Sequence, residues 1–467
     1  MGKFDALAHS YHKSVHASDE SAVSGEPEAQ LTTPVSNLFS QISDLAGLGA
    51  LHLIRESRLD RTRPDFAVLH TKGKKTHQKG YIELKAPDIT VDATQWVGRN
   101  AKQWNTMKDE AEVLIVCNGR YARLYKDGEP LGEDAGLPYD HPEGWNADSL
   151  LHLLHRFLDT RPTPVTSVSD LSRRLAIRTA DLRDRLLWLL LRRSEAGDAA
   201  RGGLASWKSY VHPDASERDF ADGISQVIAY GMVLAALSIT SAELSTDGYI
   251  TVADARDAIR DISPVMAAAF APLVDKHVLF EAVQVELGAL ETLISAINSA
   301  KVNRSADRRG DPWLYFYEDF LSVYDPNERR QAGVYYTPLK VVQAMVRIVD
   351  HLLVDRFNIR LGFADPKVVT LDPATGTGTF PLAVIDCAAA RAEELRGKAG
   401  SAQAAINLAH NLFAFELLPG PYSVAHLRLS QRLKELSPGF TGSAQVVLTD
   451  TLESPLDPQV LRLSLFE

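Results

Sequence analysis

The ten residues from Leu371 to Phe380, LDPATGTGTF, constrain the fold more tightly than any other stretch of the chain. An apolar run, Val368, Val369 and Leu371, meets Asp372 and then two closely spaced glycines, the pattern by which a buried strand hands over to a helix. Gly376 and Gly378 permit positive φ and let the main chain approach a ligand. The free amides at the start of the next helix, expected from Phe380 to about Cys387, favour negative charge. Asp372, at the strand end, is placed to accept hydrogen bonds from a polar ligand. The spacing is not the dinucleotide fingerprint GxGxxG, so a pyrophosphate is not the expected occupant.

Ahead of this loop lies GVYYTP, Gly333 to Pro338. Thr337 reads as a helix N-cap and Pro338 as the first helical residue, followed by Val341, Val342, Met345, Val346, Val349 and Leu353 on one apolar face. Beyond the loop, Leu412 to Glu416 reads as a second strand ending in an acid, and Val446 to Leu448 as a third that ends near Asp450.

The string DPATGTGTF is similar to the cofactor loop of DNA adenine-N6 methyltransferases. It resembles in particular that of the single-polypeptide restriction-modification enzymes of type ISP or type IIG kind. The resemblance implies S-adenosyl-L-methionine as cofactor, held on a Rossmann-like fold by Asp372, Pro373, Ala374, Gly376, Gly378 and Phe380. It implies that Tyr335, Tyr336, Thr337 and Pro338 pack over the methionine end, that Glu416 takes the ribose hydroxyls, and that Asp450 contacts the adenine. The family's catalytic tetrapeptide, [DNS]PP[YF], is not found in the sequence, and Asp311, Pro312 and Trp313 match it only faintly. Trp313, Leu314, Phe316 and Phe320 read instead as core or interface residues. The methyltransferase region is therefore expected to be incomplete, with a second chain or further sequence supplying the tetrapeptide and a target-recognition domain.

Near the front, apolar residues at three- and four-residue spacing from Leu38 to Leu51 suggest a helix over Asn37 to Ile54, interrupted near Gly47 and Gly49. The period then changes to β-rich runs at Phe66–Val68, Tyr81–Leu84 and Val113–Val116, with a basic turn from Lys72 to Lys79. Within them stand Pro64 and Asp65, then Glu83, Leu84 and Lys85, which spell PD…ExK. Strand alternation puts Glu83 and Lys85 on one face, and a hairpin would bring Asp65 beside Glu83. Two carboxylates with the Ile82 carbonyl suit a Mg²⁺ ion, with Lys85 near an attacking water. This arrangement resembles the PD-(D/E)xK nuclease superfamily over about Asn37 to Tyr125. The resemblance implies metal binding by Asp65 and Glu83, assistance from Lys85, and a loosely matched glutamine at Gln103 on the expected helix Asp92 to Glu110.

Between these ends, RPTPVTSVSD at Arg161 to Asp170 reads as a linker. From Leu171 to about Arg304 the apolar spacing is helical almost throughout, and no GxxxxGK[ST] phosphate loop occurs, so no motor ATPase is expected. Arginines such as Arg192 and Arg193 face either DNA or solvent. The 13-residue apolar stretch Val227–Ile239 is too short to span a membrane and reads as a buried helix. A net charge of −10 excludes a uniformly basic nucleic-acid binder while leaving a local basic surface open. Two cysteines, Cys117 and Cys387, imply no disulfide framework, and the N-terminus lacks the apolar core of a signal peptide, so a cytoplasmic protein is expected.

These readings combine into an α/β multidomain chain: a PD-(D/E)xK nuclease-like α/β domain over 1–160, an all-α coupler over 161–310, and the cofactor-binding part of an adenine-N6 methyltransferase over 311–467. The expected partner is double-stranded DNA, with no membrane.

Overall fold

The computed structural model describes residues 3–17, 27–55, 64–73, 75–210, 215–238, 249–260, 263–274, 277–304, 316–325, 337–439 and 442–452. The chain is mixed α/β and mostly helical. It divides into two compact units, Met1–Pro164 with Gln284–Ala296, and Val165–Val283 with Ile297–Glu467.

In the first unit, helices α1 (Asp5–His16) and α2 (Pro27–Ala46) precede β1 (Ala50–Arg55), β2 (Phe66–Lys72) and β3 (Lys75–Leu84). Helix α3 (Gly98–Glu110) then crosses over to β4 (Val113–Cys117). Strands β5 (Tyr121–Lys126), β6 (Glu129–Pro130) and β7 (Ala135–Gly136) and helix α4 (Asp148–Asp159) follow. The strands pair in the order β1-β2-β3-β4-β5-β6, with β7 also on β5. Only β3 and β4 are parallel in that series, as a helical crossover between them requires.

Apolar side chains leave the sheet on both faces. Phe66, Val68, Ile82, Leu84 and Ile115 meet α1, α2 and α4 in one core, while Ala67, Tyr81, Leu114 and Val116 meet Trp104 and Met107 of α3 in the other. Each central strand is thus buried on both sides, which gives the near-continuous apolar runs in the sequence.

Two readings are corrected here. The helix expected to reach Ile54 stops at Ala46, and Ala50–Arg55 is a strand. Gly47 and Gly49 take φ of +73° and +108°, which no helix interior accommodates, and a Cβ on Gly49 would fall 2.7 Å from the Thr71 carbonyl. The basic turn is also shorter than expected. Strand β2 runs through Lys72 and β3 starts at Lys75, so Lys79 belongs to a strand, and Lys74 lies outside the described residues.

In the second unit, α5 (Val168–Leu190), α6 (Glu195–Tyr210), α7 (Glu217–Ser238), α8 (Val252–Ile259) and α9 (Pro264–Val274) form a helical layer. Helix α10 (His277–Ser295) contributes Gln284 onward to the first unit, where Thr292 Oγ1 donates to the Gln78 carbonyl at 3.2 Å. Helices α11 (Ser299–Arg304) and α12 (Phe316–Tyr324) follow, and Phe316 and Phe320 are buried as expected of core aromatics. Trp313 and Leu314 lie outside the described residues. The expected apolar segment at Val227 sits in α7; its stretch Glu217–Leu237 is long and apolar enough to cross a membrane, and 89% of it is buried within the protein.

The remaining elements are α13 (Leu339–Phe357), β8 (Thr370–Asp372), α14 (Thr379–Asn411), β9 (Leu412–Glu416), α15 (Pro419–Leu436) and β10 (Gln445–Leu448). The three strands are parallel in the order β10-β9-β8. Helix α14 bends at Gly397, whose φ of 70° and ψ of −171° are not helical. Helix α15 packs against α7, where Gly420 leaves room for the Gln226 side chain and Ser263 Oγ lies 3.1 Å from the Tyr422 hydroxyl. The helical layer and the parallel sheet therefore share one core.

Candidate functional site

In the first unit, β2 and β3 run antiparallel with Phe66 opposite Ile82. This register carries Asp65 to the end of β3, where its Oδ2 accepts from the Leu84 amide at 2.7 Å. Glu83 and Lys85 project from the same face, and the Lys85 ammonium donates directly to Glu83 Oε1. Gln103 on α3 closes the group: its Nε2 donates to Glu83 Oε1 at 2.7 Å and its Oε1 accepts from Lys85 Nζ at 3.3 Å. Asp65, Glu83, Lys85 and Gln103 thus converge.

Burial dominates the electrostatics of this cluster. It pushes the Glu83 carboxyl up to about 7, against the pull of the Lys85 ammonium, and the Asp65 charge adds to the rise. The Asp65 carboxyl is raised too, again by burial, although the Leu84 amide and Lys85 oppose the change. Glu83 Oε2 is buried with no hydrogen-bond partner among the described residues. Hard oxygen donors suit a divalent cation such as Mg²⁺, and this unpartnered oxygen is a donor of that kind. No group of three or more His, Cys, Asp or Glu among the described residues is arranged to hold a metal, so the carboxylate contribution rests on Asp65 and Glu83.

Two neighbours escaped the sequence reading. Glu28 on α2 lies 3.9 Å from Lys85 Nζ, and the Trp96 ring centroid lies 5.3 Å from the same atom. Glu28 sits in the first turn of α2, ahead of the helix expected from Asn37, and Trp96 precedes α3 in a loop. Neither position carries a periodic signal.

In the second unit, Asp372 ends β8 and its Oδ1 accepts from the Ala374 amide at 3.3 Å. Asp372 Oδ2 is buried without a hydrogen-bond partner among the described residues, an acceptor free for a ligand. Gly376 and Gly378 take φ of 54° and 82°. A Cβ on Gly376 would meet nothing within 4 Å, whereas one on Gly378 would fall 3.3 Å from Ala425 Cα on α15. The first glycine faces open space, and the second is where the helix closes on the loop.

Glu416, at the end of β9, reaches across: Oε2 accepts from the Gly376 amide and Oε1 from the Leu418 amide, both at 2.8 Å. Burial raises its carboxyl, and those same amides hold the rise down. Burial raises the Asp372 carboxyl as well, opposed by the Ala374 amide. From behind, the buried Arg428 Nη1 donates to the Thr377 carbonyl at 2.5 Å. Neither brace was foreseen from sequence, which assigned Glu416 to a ligand alone and passed over Arg428.

Pro373 and Ala374 are exposed on the loop, and Phe380 is half-buried at the start of α14. Thr449 N donates to the Glu416 carbonyl at 2.8 Å, so the half-buried Asp450, which follows β10, comes next to a residue tied to the end of β9. Tyr335 and Tyr336 lie outside the described residues, while Thr337 and Pro338 are exposed. The cap reading shifts by one residue. Pro338, with ψ of 130°, is itself the N-cap of α13, and its carbonyl accepts from Val341 and Val342. Only Val342 and Val346 of the expected apolar face are buried, joined by Asp350; Val341, Met345 and Val349 are exposed.

This open loop with two acidic strand ends suits a ligand that donates hydrogen bonds, and S-adenosylmethionine does so through its amino and hydroxyl groups. Three solved structures resemble the chain. The first, "cryoEM structure DrdV-DNA complex", is 22% identical, with 99% of this chain and 42% of that chain covered at a TM-score of 0.42. The second is a nuclease-deletion mutant of the Type ISP restriction-modification enzyme LlaGI in complex with a DNA substrate mimic. It is 18% identical, with 68% and 25% covered at a TM-score of 0.42. The ATP-dependent Type ISP restriction-modification enzyme LlaBIII bound to DNA is 18% identical, with 68% and 21% covered at a TM-score of 0.44. The chain thus spans less than half the length of each. No curated protein matches it. Residues 309–427 match the family described as N-6 DNA Methylase, whose members imply S-adenosylmethionine use.

Proposed function

We propose that the chain is the nuclease, coupler and cofactor-binding part of a cytoplasmic restriction-modification DNA enzyme. The observation that carries this reading is the convergence of Asp65, Glu83, Lys85 and Gln103 in a chain that also matches the N-6 DNA Methylase family. Residues 1–160 would cleave double-stranded DNA, 161–310 couple the activities, and 311–467 bind S-adenosylmethionine.

Asp65, Glu83 and the Ile82 carbonyl would hold Mg²⁺, which supplies a Lewis acid for a phosphate oxygen and lowers the pKa of bound water. Lys85, held by Glu83 and Gln103, positions the attacking water. In the second unit Asp372 and Glu416 receive the polar hydrogens of the cofactor, and Gly376 and Gly378 keep the main chain clear of it. Pro373, Ala374 and Phe380 line the approach. Tyr335, Tyr336, Thr337 and Pro338 cover the methionine end, and Asp450 takes the adenine. Methyl transfer to adenine N6 needs the [DNS]PP[YF] tetrapeptide to hold a flipped base; further sequence or a second chain is proposed to carry it.

Calorimetric titration with S-adenosylmethionine is expected to show binding that weakens in Asp372→Ala. No binding to the folded chain would remove the methyltransferase reading. Mg²⁺-dependent nicking of unmethylated DNA is expected to disappear in Lys85→Ala, and persistence would remove the nuclease assignment. One other reading is a non-catalytic S-adenosylmethionine-binding regulator of another subunit. Methylation of adenine by the chain alone would exclude it.

A further inference from the structure

Helix α5 ends in a basic cluster that neither candidate site uses. Trp188 is 43% exposed, and the guanidiniums of Arg185 and Arg192 lie over its ring, 4.5 and 4.3 Å from the ring centroid. Arg185 and Trp188, three residues apart, share one face of α5, and Arg192 folds back onto the ring from just past the helix end. Arg193 and Leu191 beside them are exposed.

Two acids near this surface are engaged elsewhere. Asp184 pairs with Arg183, and Asp198 pairs with Arg201, leaving the exposed Glu195 as the nearby carboxylate in sequence. Arg185 spends its Nε on the Ala282 carbonyl at 2.8 Å and keeps its terminal amino groups. A helix C-terminus carries partial negative charge and repels anions. Here Arg201 covers it, donating from Nη1 to the Leu190 and Arg192 carbonyls at 2.7 and 3.0 Å. The end of α5 is thereby converted from an anion-repelling to an anion-accepting surface, in a chain whose net charge is −10.

We propose that Arg185 and Arg192, ordered by Trp188, form with the exposed Arg193 a contact for the phosphates of duplex DNA on the helical layer. An indole against a guanidinium face restrains the side chain but leaves its N–H edge for an oxygen acceptor. The ordering cost of binding is then partly met before DNA arrives. Arginine edges match phosphate oxygens two at a time, which a solvated lysine does not. This inference rests on duplex DNA being the partner of the chain, as proposed above.

The test is fluorescence anisotropy of a short labelled duplex titrated with the full chain over a range of salt concentrations. Arg192→Glu/Arg193→Glu is expected to weaken binding at least ~10-fold at low salt and to reduce the slope of log affinity against log salt by about two, one phosphate for each arginine. Trp188→Ala keeps the charges, so it should lower affinity by a smaller factor, about 3-fold, with the slope unchanged. Arg192→Gln/Arg193→Gln replaces the charge reversal if the latter fails to show the native circular dichroism and melting curve. Unchanged affinity and slope in folded variants, while the unmodified chain binds DNA, would overturn the inference and leave the DNA reading standing. A chain that binds no duplex at any salt would overturn both. Weaker binding of duplex RNA with DNA binding intact would overturn it in favour of RNA.

Discussion

The Glu83 carboxylate and the Lys85 ammonium touch in the protein interior, with side chains only 3% and 2% exposed. A carboxyl raised to about 7 is mostly protonated at pH 6 and mostly ionised at pH 8. Magnesium binding requires the ionised form, so affinity should rise with pH through this window. Calorimetry is expected to show Mg²⁺ binding about 10-fold tighter at pH 8 than at pH 6, from the change in ionised fraction. Lys85→Met removes the cation that holds the pKa down and should move the midpoint higher. Equal affinity at the two pH values would contradict the assignment of Glu83 as the ligand.

Gly376 and Gly378 share a conformation and differ in surroundings, so their alanine variants should separate binding from stability. Gly376→Ala carries only the backbone cost of positive φ, about 1 kcal/mol, and places a methyl group in the open space of the loop. Its melting temperature should fall slightly while S-adenosylmethionine binding is lost. Gly378→Ala adds a clash with the α15 backbone and should unfold at lower denaturant than Gly376→Ala. A Gly376→Ala protein with native cofactor affinity would show that the loop is not the binding surface.

Glu416 accepts two main-chain amides, and its loss would leave both without their acceptor. Glu416→Ala should cost about 1–3 kcal/mol of loop stability. Hydrogen exchange read by NMR offers the direct check: the Gly376 and Leu418 amides should exchange faster in the variant, and the amides of β10 should not.

Asp350 on α13 is 2% exposed; it accepts from the Phe363 amide at 3.0 Å and from Arg391 Nε at 2.6 Å. It ties α13 to α14 through a charge pair that a neutral side chain cannot replace. Asp350→Asn leaves the arginine without its counter-charge and should destabilise the unit by about 3–5 kcal/mol. Urea unfolding followed by circular dichroism would measure this, and a change below 1 kcal/mol would assign the pair to the solvated class.

What the sequence disclosed follows from how local each cause is. The order of strand, glycine turn and helix at Leu371–Phe380 was legible because the glycines act on their own backbone, although the strand expected to be buried leaves Val369 and Leu371 exposed. The hairpin that brings Asp65 to Leu84 was legible because strand alternation fixes a face. Leu48 and Leu51 misled because their spacing continued a helical period across Gly47 and Gly49, whose positive φ ends it. Glu28, Trp96 and Arg428 were missed for the opposite reason. Each acts on residues far along the chain, so no neighbouring residue announces its role.

The bend in α14 fixes where the second strand of the parallel sheet begins. A straight rod of 33 residues would extend about 50 Å and deliver its end far from its origin. By turning at Gly397, in a conformation that side-chain-bearing residues avoid, the polypeptide doubles back so that Leu412 starts alongside Thr370. The carboxylate of Glu416 therefore arrives at Gly376 through a reversal set some twenty positions upstream, at a spot that touches no part of the loop it serves.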